Sequence, residues 1–189
     1  MSREGLRAIL LGAPGSGKGT QAERLAAALG VPAVSTGEML RQAVLEGNEL
    51  GARVESVMAA GALVDDALMA DVVRARLGRQ DARHGFLLDG YPRTPGQAGD
   101  LDRMLEEQAA GLDAVVLLEV PEEVLVRRSL ARKRADDREE VVRERQRVYR
   151  EATEPLIGLY EGRGLLRRVD GNRSVDEVSR SILKFLERG

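Results

Sequence analysis

The sequence contains no cysteine, one histidine and no long apolar run. Without cysteine there can be no disulfide and no Cys-ligated zinc site. His84, standing alone, cannot build a His-rich metal centre and argues against a Ser/His/Asp triad; its place just before a strand suits a surface residue. No apolar stretch approaches the roughly 18 residues needed to cross a bilayer. The opening M-S-R-E-G-L-R lacks the apolar core of a signal peptide, so a cytoplasmic location is expected. A formal net charge of −2 gives no basis for wholesale binding to nucleic acid or to a membrane surface. Internal repeats and low-complexity segments are absent as well. At 189 residues the chain suits one compact domain, 1–189, with room for small inserted lobes.

What the chain does contain is a glycine-rich stretch, Leu10 to Thr20, reading L-L-G-A-P-G-S-G-K-G-T. An apolar run (Leu6, Ala8, Ile9, Leu10, Leu11) leads into it and a helical pattern leaves it near Lys18. Gly12, Gly15, Gly17 and Gly19 allow positive φ and close approach of backbone to a ligand. Successive N–H groups and a helix start then face one concavity, and Lys18 adds a full charge able to follow outer phosphates. The spacing Gly12-x4-Gly17-Lys18 fits the Walker A pattern, except that Gly19 stands where a magnesium-ligating Ser/Thr is usual and Thr20 follows it.

Downstream, strands alternate with helices. Helical spacing at Ala22, Leu25, Ala26 and Leu29 ends at Gly30, and Val31 to Val34 follows as a short strand whose Pro32 puts it toward a sheet edge. Ser35-Thr36-Gly37-Glu38 reads as a capping box opening two short helices, about 38–45 and 50–60, parted at Gly47-Asn48. Asp65-Asp66 begin another helix. Gly85 to Asp89 and Ala114 to Val120 are apolar enough for buried parallel strands, and Leu165 to Val169 is a fifth. A long charged helix is expected from Arg138 to about Tyr160, and a capping box at Ser174-Glu177 starts the last helix. The pattern implies an α/β fold with a five-stranded parallel sheet and ligands at the carboxyl ends of the strands.

Several side chains fall at that edge. Asp89, ending the third strand beside the glycine loop, suits a Walker B role on magnesium or its water ligands; a helix cap or a pair with Arg93 is the alternative. Arg93 follows a rigid Tyr91-Pro92 turn, which suits a clamp on a second phosphate, against an ordinary surface arginine. Gln97 fits two roles equally, reading a base edge or completing a capping box behind Thr94 and Pro95. Thr36, Arg41, Arg128, Arg132, Arg134 and Arg145 complete the set, with nine Lys/Arg against five Asp/Glu between Arg127 and Arg147. Two polyphosphates brought together need such compensation, although Arg143, Arg145 and Arg147 cannot all face one site.

Taken together, G-A-P-G-S-G-K-G-T, S-T-G-E-M-L-R (35–41), L-L-D-G-Y-P-R-T (87–94), R-A-D-D (134–137) and T-E-P-L-I (153–157) resemble adenylate kinase, across essentially the whole chain and in order. In that family Lys-Gly-Thr is the usual form of the loop. The resemblance implies a P-loop three-layer α/β/α fold, a helical AMP-binding lobe at 35–64 and a reduced lid at about 131–138. It implies transfer between Mg·ATP and AMP to give two ADP, with no zinc, no nucleic-acid partner, no membrane and a monomeric chain. By its motifs, Gly15, Ser16, Gly17, Lys18, Gly19 and Thr20 match the ATP-phosphate loop. Arg128, Arg132, Arg134 and Arg145 match arginines gripping ATP and the transferring phosphates, and Arg173 a backbone contact to adenine. Thr36, Arg41, Ala62, Leu63, Val64, Gly90, Tyr91, Pro92, Arg93 and Gln97 match the AMP site, with Arg134 and Arg145 reaching its phosphate. Lys18, Arg93, Arg128, Arg134 and Arg145 form the catalytic set, Asp89 holds magnesium through water, and Asp136 with Asp137 latches the lid.

The departures from the family are Glu38 and Tyr91, where Asp and Phe are more usual, and the lid. Only Lys133 separates Arg132 from Arg134, so the chain is expected to leak more ATP hydrolysis than longer-lid relatives. Alternatives are a UMP/CMP kinase, which would resemble S-A-G and carry Asn after the arginine, and a non-catalytic ATP sensor. Thr36 and Gln97 disfavour the first, and the surplus arginines disfavour the second. An unrelated small-molecule kinase is disfavoured by Gly19, and no N-K-x-D guanine motif occurs.

Overall fold

The structure is a computed structural model that describes residues 5–132 and 138–186. Five parallel strands, β1 (Arg7–Leu11), β2 (Ala33–Ser35), β3 (Phe86–Asp89), β4 (Ala114–Glu119) and β5 (Leu166–Asp170), lie in the order β2-β3-β1-β4-β5. This is the five-stranded parallel sheet expected from the alternating pattern. β1 is central, and its carboxyl end is flanked by β3 and β4, with Leu10 opposite Asp89 and Leu11 opposite Leu117. The loop after β1 therefore opens where the chain order reverses, the usual ligand crevice of such sheets.

Successive side chains of β1 point to opposite faces, as strand geometry dictates. Ile9 and Leu11 enter a core with Leu88, Val115 and Leu117, while Ala8 and Leu10 enter a second core with Leu87, Val116 and Leu118. Helices α1 (Lys18–Leu29) and α9 (Val175–Leu186) cover the second core. On the first face lie α2 (Thr36–Glu46), α3 (Glu49–Ala59), α4 (Asp66–Leu77), α5 (Pro95–Glu106) and α8 (Pro155–Gly162). Two apolar layers thus sandwich a sheet, each fully buried aliphatic side chain contributing about 1.5–3 kcal/mol.

Local signals set most boundaries. Thr94 accepts the N–H of Gln97 and Pro95 takes the first position of α5; Asn48 and Asp65 cap α3 and α4. The box at Ser174 and Glu177 forms in both directions. β2 begins two residues later than expected, because Val31 donates to Ala26 in closing α1 and Pro32 brings only a carbonyl, which accepts from Leu87. β2 is the edge strand, as Pro32 required.

Two expectations fail. The Ser35 hydroxyl does not cap α2; it donates to Asp89 Oδ2 at 3.2 Å, and the helix starts at Thr36. A carboxylate across the sheet outcompetes a local N–H. The long charged helix is also broken: α7 (Glu139–Val148) passes into a π-helical turn, Tyr149–Thr153, before α8 begins at Pro155. Pro155 has no N–H to continue the ladder, so the turn before it widens. Helix α6 (Glu122–Ala131) precedes α7. Arg134, Asp136 and Asp137 lie outside the described residues.

Candidate functional site

A cavity of about 790 Å³ opens at the carboxyl ends of β1, β2 and β3, between the glycine loop on one side and the Gly90–Arg93 turn on the other. Gly15, Ser16, Gly17, Lys18, Gly19 and Thr20 line its glycine-loop side. Gly15 has φ +88°, and a Cβ there would sit 2.5 Å from the Leu125 carbonyl and 2.6 Å from Ser129 Oγ. The loop is therefore pressed onto α6 as well as opened toward a ligand. Ser129 is 1% exposed, and its hydroxyl has no hydrogen-bond partner among the described residues. Gln146 of α7 supports the loop from another side, donating to the Pro14 carbonyl at 2.8 Å.

The Lys18 ammonium donates to the carbonyls of Gly12 (2.6 Å) and Ala13 (3.1 Å). Desolvation pushes it down to about 8, with Arg93 and Arg132 adding to the effect and Asp89 opposing it. Burial thus makes the Lys18 charge costlier than in water, while the two carbonyls and Asp89 still support it. Asp89, 9% exposed, is the anionic neighbour of both cationic ends, acting on Lys18 and on Arg93. A Cβ on Gly19 would lie 3.8 Å from Asp89 Oδ2, so a larger residue there would narrow the gap between the helix start and the carboxylate. No group of three or more His, Cys, Asp or Glu able to hold a metal occurs among the described residues. The donor set therefore suits a hydrated cation shared with phosphate oxygens, not an all-protein cage.

At the opposite side, Arg93 is held at three points. Its N–H donates to Gln97 Oε1 at 2.7 Å, its carbonyl accepts from Thr153 Oγ1 at 2.9 Å, and its Nε donates to the Gly90 carbonyl at 2.7 Å. Burial lowers its pKa, with Arg145 and Arg41 adding to the effect, although a guanidinium stays charged throughout the working range. Gly90 has φ +84°, and a Cβ there would fall 2.8 Å from Thr36 Oγ1 and 3.1 Å from Arg93 Nη2. Thr36 itself donates to the Gly90 carbonyl at 2.9 Å, fixing the turn that carries Arg93. Tyr91 and Pro92, joined by a cis peptide bond, are both buried, Pro92 at the cavity wall.

Ala62, Leu63 and Val64 line the same cavity, as do Arg41, Gln97, Arg128, Arg132, Arg145 and Arg173. Arg41 pairs with Glu38 at 3.0 Å, Arg128 donates to Gly171 at 3.0 Å, and Arg173 meets Asp170 at 3.1 Å. Arg128 is thereby tied to the β5–α9 turn, while Arg132 stands exposed at the end of α6. Of the alternating arginines on α7, Arg145 faces the cavity, while Arg143 and Arg147 pair outward with Glu139, Glu144 and Glu151. The structure brings the described candidates to one cavity except Tyr91, whose side chain turns into the core with Phe86 and Leu101 instead. Three supports escaped sequence reasoning: Thr153 and Gln146, which brace Arg93 and the loop, and Asp66, which holds Gln97. Thr153 opens the T-E-P-L-I motif, the one available signal for it.

A parallel sheet with a glycine loop after its central strand, facing an arginine-bearing turn across a shared cavity, defines a P-loop α/β protein. Residues 10–165 match the family model described as adenylate kinase. Relatives named adenylate kinase include that of Kocuria rhizophila, 47% identical over 96% of this chain and 99% of the relative, and that of Xanthomonas campestris pv. campestris strain B100, 49% identical over 97% and 100%. A third, from Corynebacterium urealyticum, is 48% identical over 97% and 100%. The chain belongs to the adenylate kinase family.

Proposed function

We propose that this chain catalyses reversible transfer of the ATP γ-phosphoryl group to AMP, giving two ADP, with Mg2+ carried by ATP. The observation carrying this reading is that Lys18 and Arg93, on separate elements, share one cavity and one carboxylate, Asp89. One cation serves a donor phosphate and the other an acceptor.

A phosphate oxygen of AMP attacks the γ-phosphorus, the new O–P bond forms as the bond to the β,γ-bridging oxygen breaks, and ADP leaves. The acceptor is already anionic, so no general base is required, which agrees with a cavity that His84 does not line. The chain's contribution is position and charge. Lys18 leaves the Gly12 and Ala13 carbonyls for the outer phosphates of ATP, Arg93 orients the AMP phosphate, and Arg145 and Arg132 offset charge between them. Asp89, its Oδ2 accepting from Ser35, would hold water ligands of the metal. Mg2+, when bound, neutralises charge on the phosphate oxygens. Thr36, Arg41, 62–64, Gly90 and Gln97 form the AMP side, while Arg128 and Arg173 flank the ATP base. Arg134 extends the charge set, and Asp136 and Asp137 latch the lid. The protein acts as a cytoplasmic monomer on ATP, AMP and ADP, and no described helix is long and apolar enough to cross a membrane.

Incubation with Mg·ATP and each nucleoside monophosphate, followed by chromatography, tests the proposal. ADP formation with AMP alone supports it; preferential use of UMP or CMP moves the chain to the pyrimidine kinases, and no transfer to any acceptor overturns it.

A further inference from the structure

Gln97 is held between two partners of fixed chemistry. Its Oε1 accepts the Arg93 N–H and its Nε2 donates to Asp66 Oδ1, both at 2.7 Å. A backbone N–H can only donate and a carboxylate only accepts, so these partners dictate which end of the carboxamide is oxygen. Asp66, in the first turn of α4, is itself held: Oδ2 accepts from Thr94 Oγ1 at 2.8 Å. A carboxamide carries two N–H groups and two lone pairs on oxygen. After both bonds are made, Gln97 has one N–H and one lone pair left, in a fixed order, on a residue that is 2% exposed and lines the cavity.

We propose that Asp66 is a specificity-determining positioning residue, holding the Gln97 carboxamide in one orientation so that the site accepts a 6-aminopurine edge and rejects a 6-oxopurine edge. Adenine presents a donor at N6 beside an acceptor nitrogen. Hypoxanthine, nearly the same in shape, presents an acceptor at O6 beside a donor at N1, the reverse order. A freely turning glutamine satisfies either edge by flipping. Here a flip would set Oε1 against the Asp66 carboxylate and Nε2 against the Arg93 N–H, losing two hydrogen bonds, one of them charge-assisted. Asp66 touches no substrate in this scheme; it acts through Gln97. The inference rests on the reading of Gln97 as the residue facing the AMP base.

The test compares kcat and KM for AMP and for inosine monophosphate, at saturating Mg·ATP, in the parent and in Asp66→Ala, Asp66→Asn and Gln97→Ala, alongside melting temperatures. In Asp66→Ala, the AMP-to-inosine-monophosphate preference in kcat/KM falls about tenfold, the worth of one hydrogen bond in discrimination. The change lies in the two KM values, with kcat for AMP held within about threefold. Asp66→Asn, isosteric and able to offer either a donor or an acceptor, falls between parent and alanine, and carries the test alone if Asp66→Ala does not fold. A merely structural loss would depress both monophosphates alike and leave their ratio in place. If Gln97→Ala destroys the preference while the Asp66 variants stay within about twofold of the parent, Gln97 faces the base and the role given to Asp66 is wrong. If Gln97→Ala leaves the preference unchanged, the placement of Gln97 at the base fails, and the inference with it.

Discussion

At the donor end of the cavity, Lys18 is held by carbonyls five and six residues away, within its own loop. At the acceptor end, Arg93 is held partly by Thr153, 60 residues away, and through Gln97 by Asp66, 31 residues from that glutamine. The first end is made of backbone: four glycines, a helix start and carbonyls that shelter one ammonium. The second is made of side chains from α2, α4, α5 and the π-helical turn, converging on one turn after β3. A backbone cradle fits any polyphosphate and has no means of telling one base from another. A side-chain assembly can discriminate, because each member presents a donor or an acceptor in a set order. On the proposed reading, selectivity accordingly falls to the half that the chain assembles from a distance.

The two constructions fail in different ways when damaged. If Arg93 clamps the acceptor as proposed, Arg93→Ala is expected to cut turnover by about a thousandfold or more, the scale of a single arginine at a transferring phosphoryl group. Burial and the nearby Arg41 and Arg145 already disfavour its charge, so the melting temperature should stay put or rise slightly. Steady-state rates beside a melting curve decide it; retained turnover would take Arg93 out of the site and erase the contrast.

The glycine-loop end should show the opposite, a loss of stability. Gly15→Ala meets both a left-handed φ of +88° and the Leu125 carbonyl and Ser129 hydroxyl of α6. Gly17→Ala meets φ +97° with nothing within 4 Å. Left-handed backbone alone costs about 1–2 kcal/mol, and overpacking adds about 1–3 kcal/mol. At about 2–4 °C per kcal/mol for a chain of this size, Gly15→Ala should melt several degrees below Gly17→Ala. Equal melting temperatures would mean that the loop is not braced by α6.

The same contrast sets what could be read from residue order. The cradle was legible because its parts are contiguous: Gly12, Gly15, Gly17 and Lys18 declare a turn, a close approach and a charge in seven residues. Arg93 was legible through the rigid Tyr91-Pro92 turn, and the sheet through its buried apolar runs. Gln97 stayed ambiguous because its position behind Thr94 suits a cap, and its N–H does complete that cap while its side chain turns to Arg93 and Asp66. Ser35 misled for a related reason. A Ser-x-x-Glu pattern speaks only of its own helix, whereas Asp89 reaches the hydroxyl from a neighbouring strand 54 residues on. The π-helical turn at 149–153 was hidden because charged residues recur at helical spacing straight through it. Thr153 and Gln146 were out of reach, since their partners lie 60 and 132 residues away.

The smallest effect expected is a count of protons at the donor end. Desolvation brings Lys18 from 10.5 to about 8 in the unliganded protein. An unfolded chain keeps that proton up to about pH 10.5, so between about 8 and 10.5 the unfolded state binds more protons than the folded one. The contribution of Lys18 to stability therefore rises with pH across this window, and its desolvation cost is present in full below it. ATP reverses the balance, because its phosphates favour the ammonium and raise its pKa again. Above pH 8 a substantial part of Lys18 is neutral beforehand, so ATP binding should draw in a measurable fraction of a proton at about pH 8.5; near pH 6.5 it should draw almost none through this residue. Calorimetry in buffers of different ionisation enthalpy measures the uptake directly. Lys18→Arg, whose guanidinium does not titrate in this range, supplies the reference. An enthalpy at pH 8.5 with the same buffer dependence in both proteins would show that the carbonyls of Gly12 and Ala13 hold a charged lysine before ATP arrives, and that the cradle is preset rather than completed by its ligand.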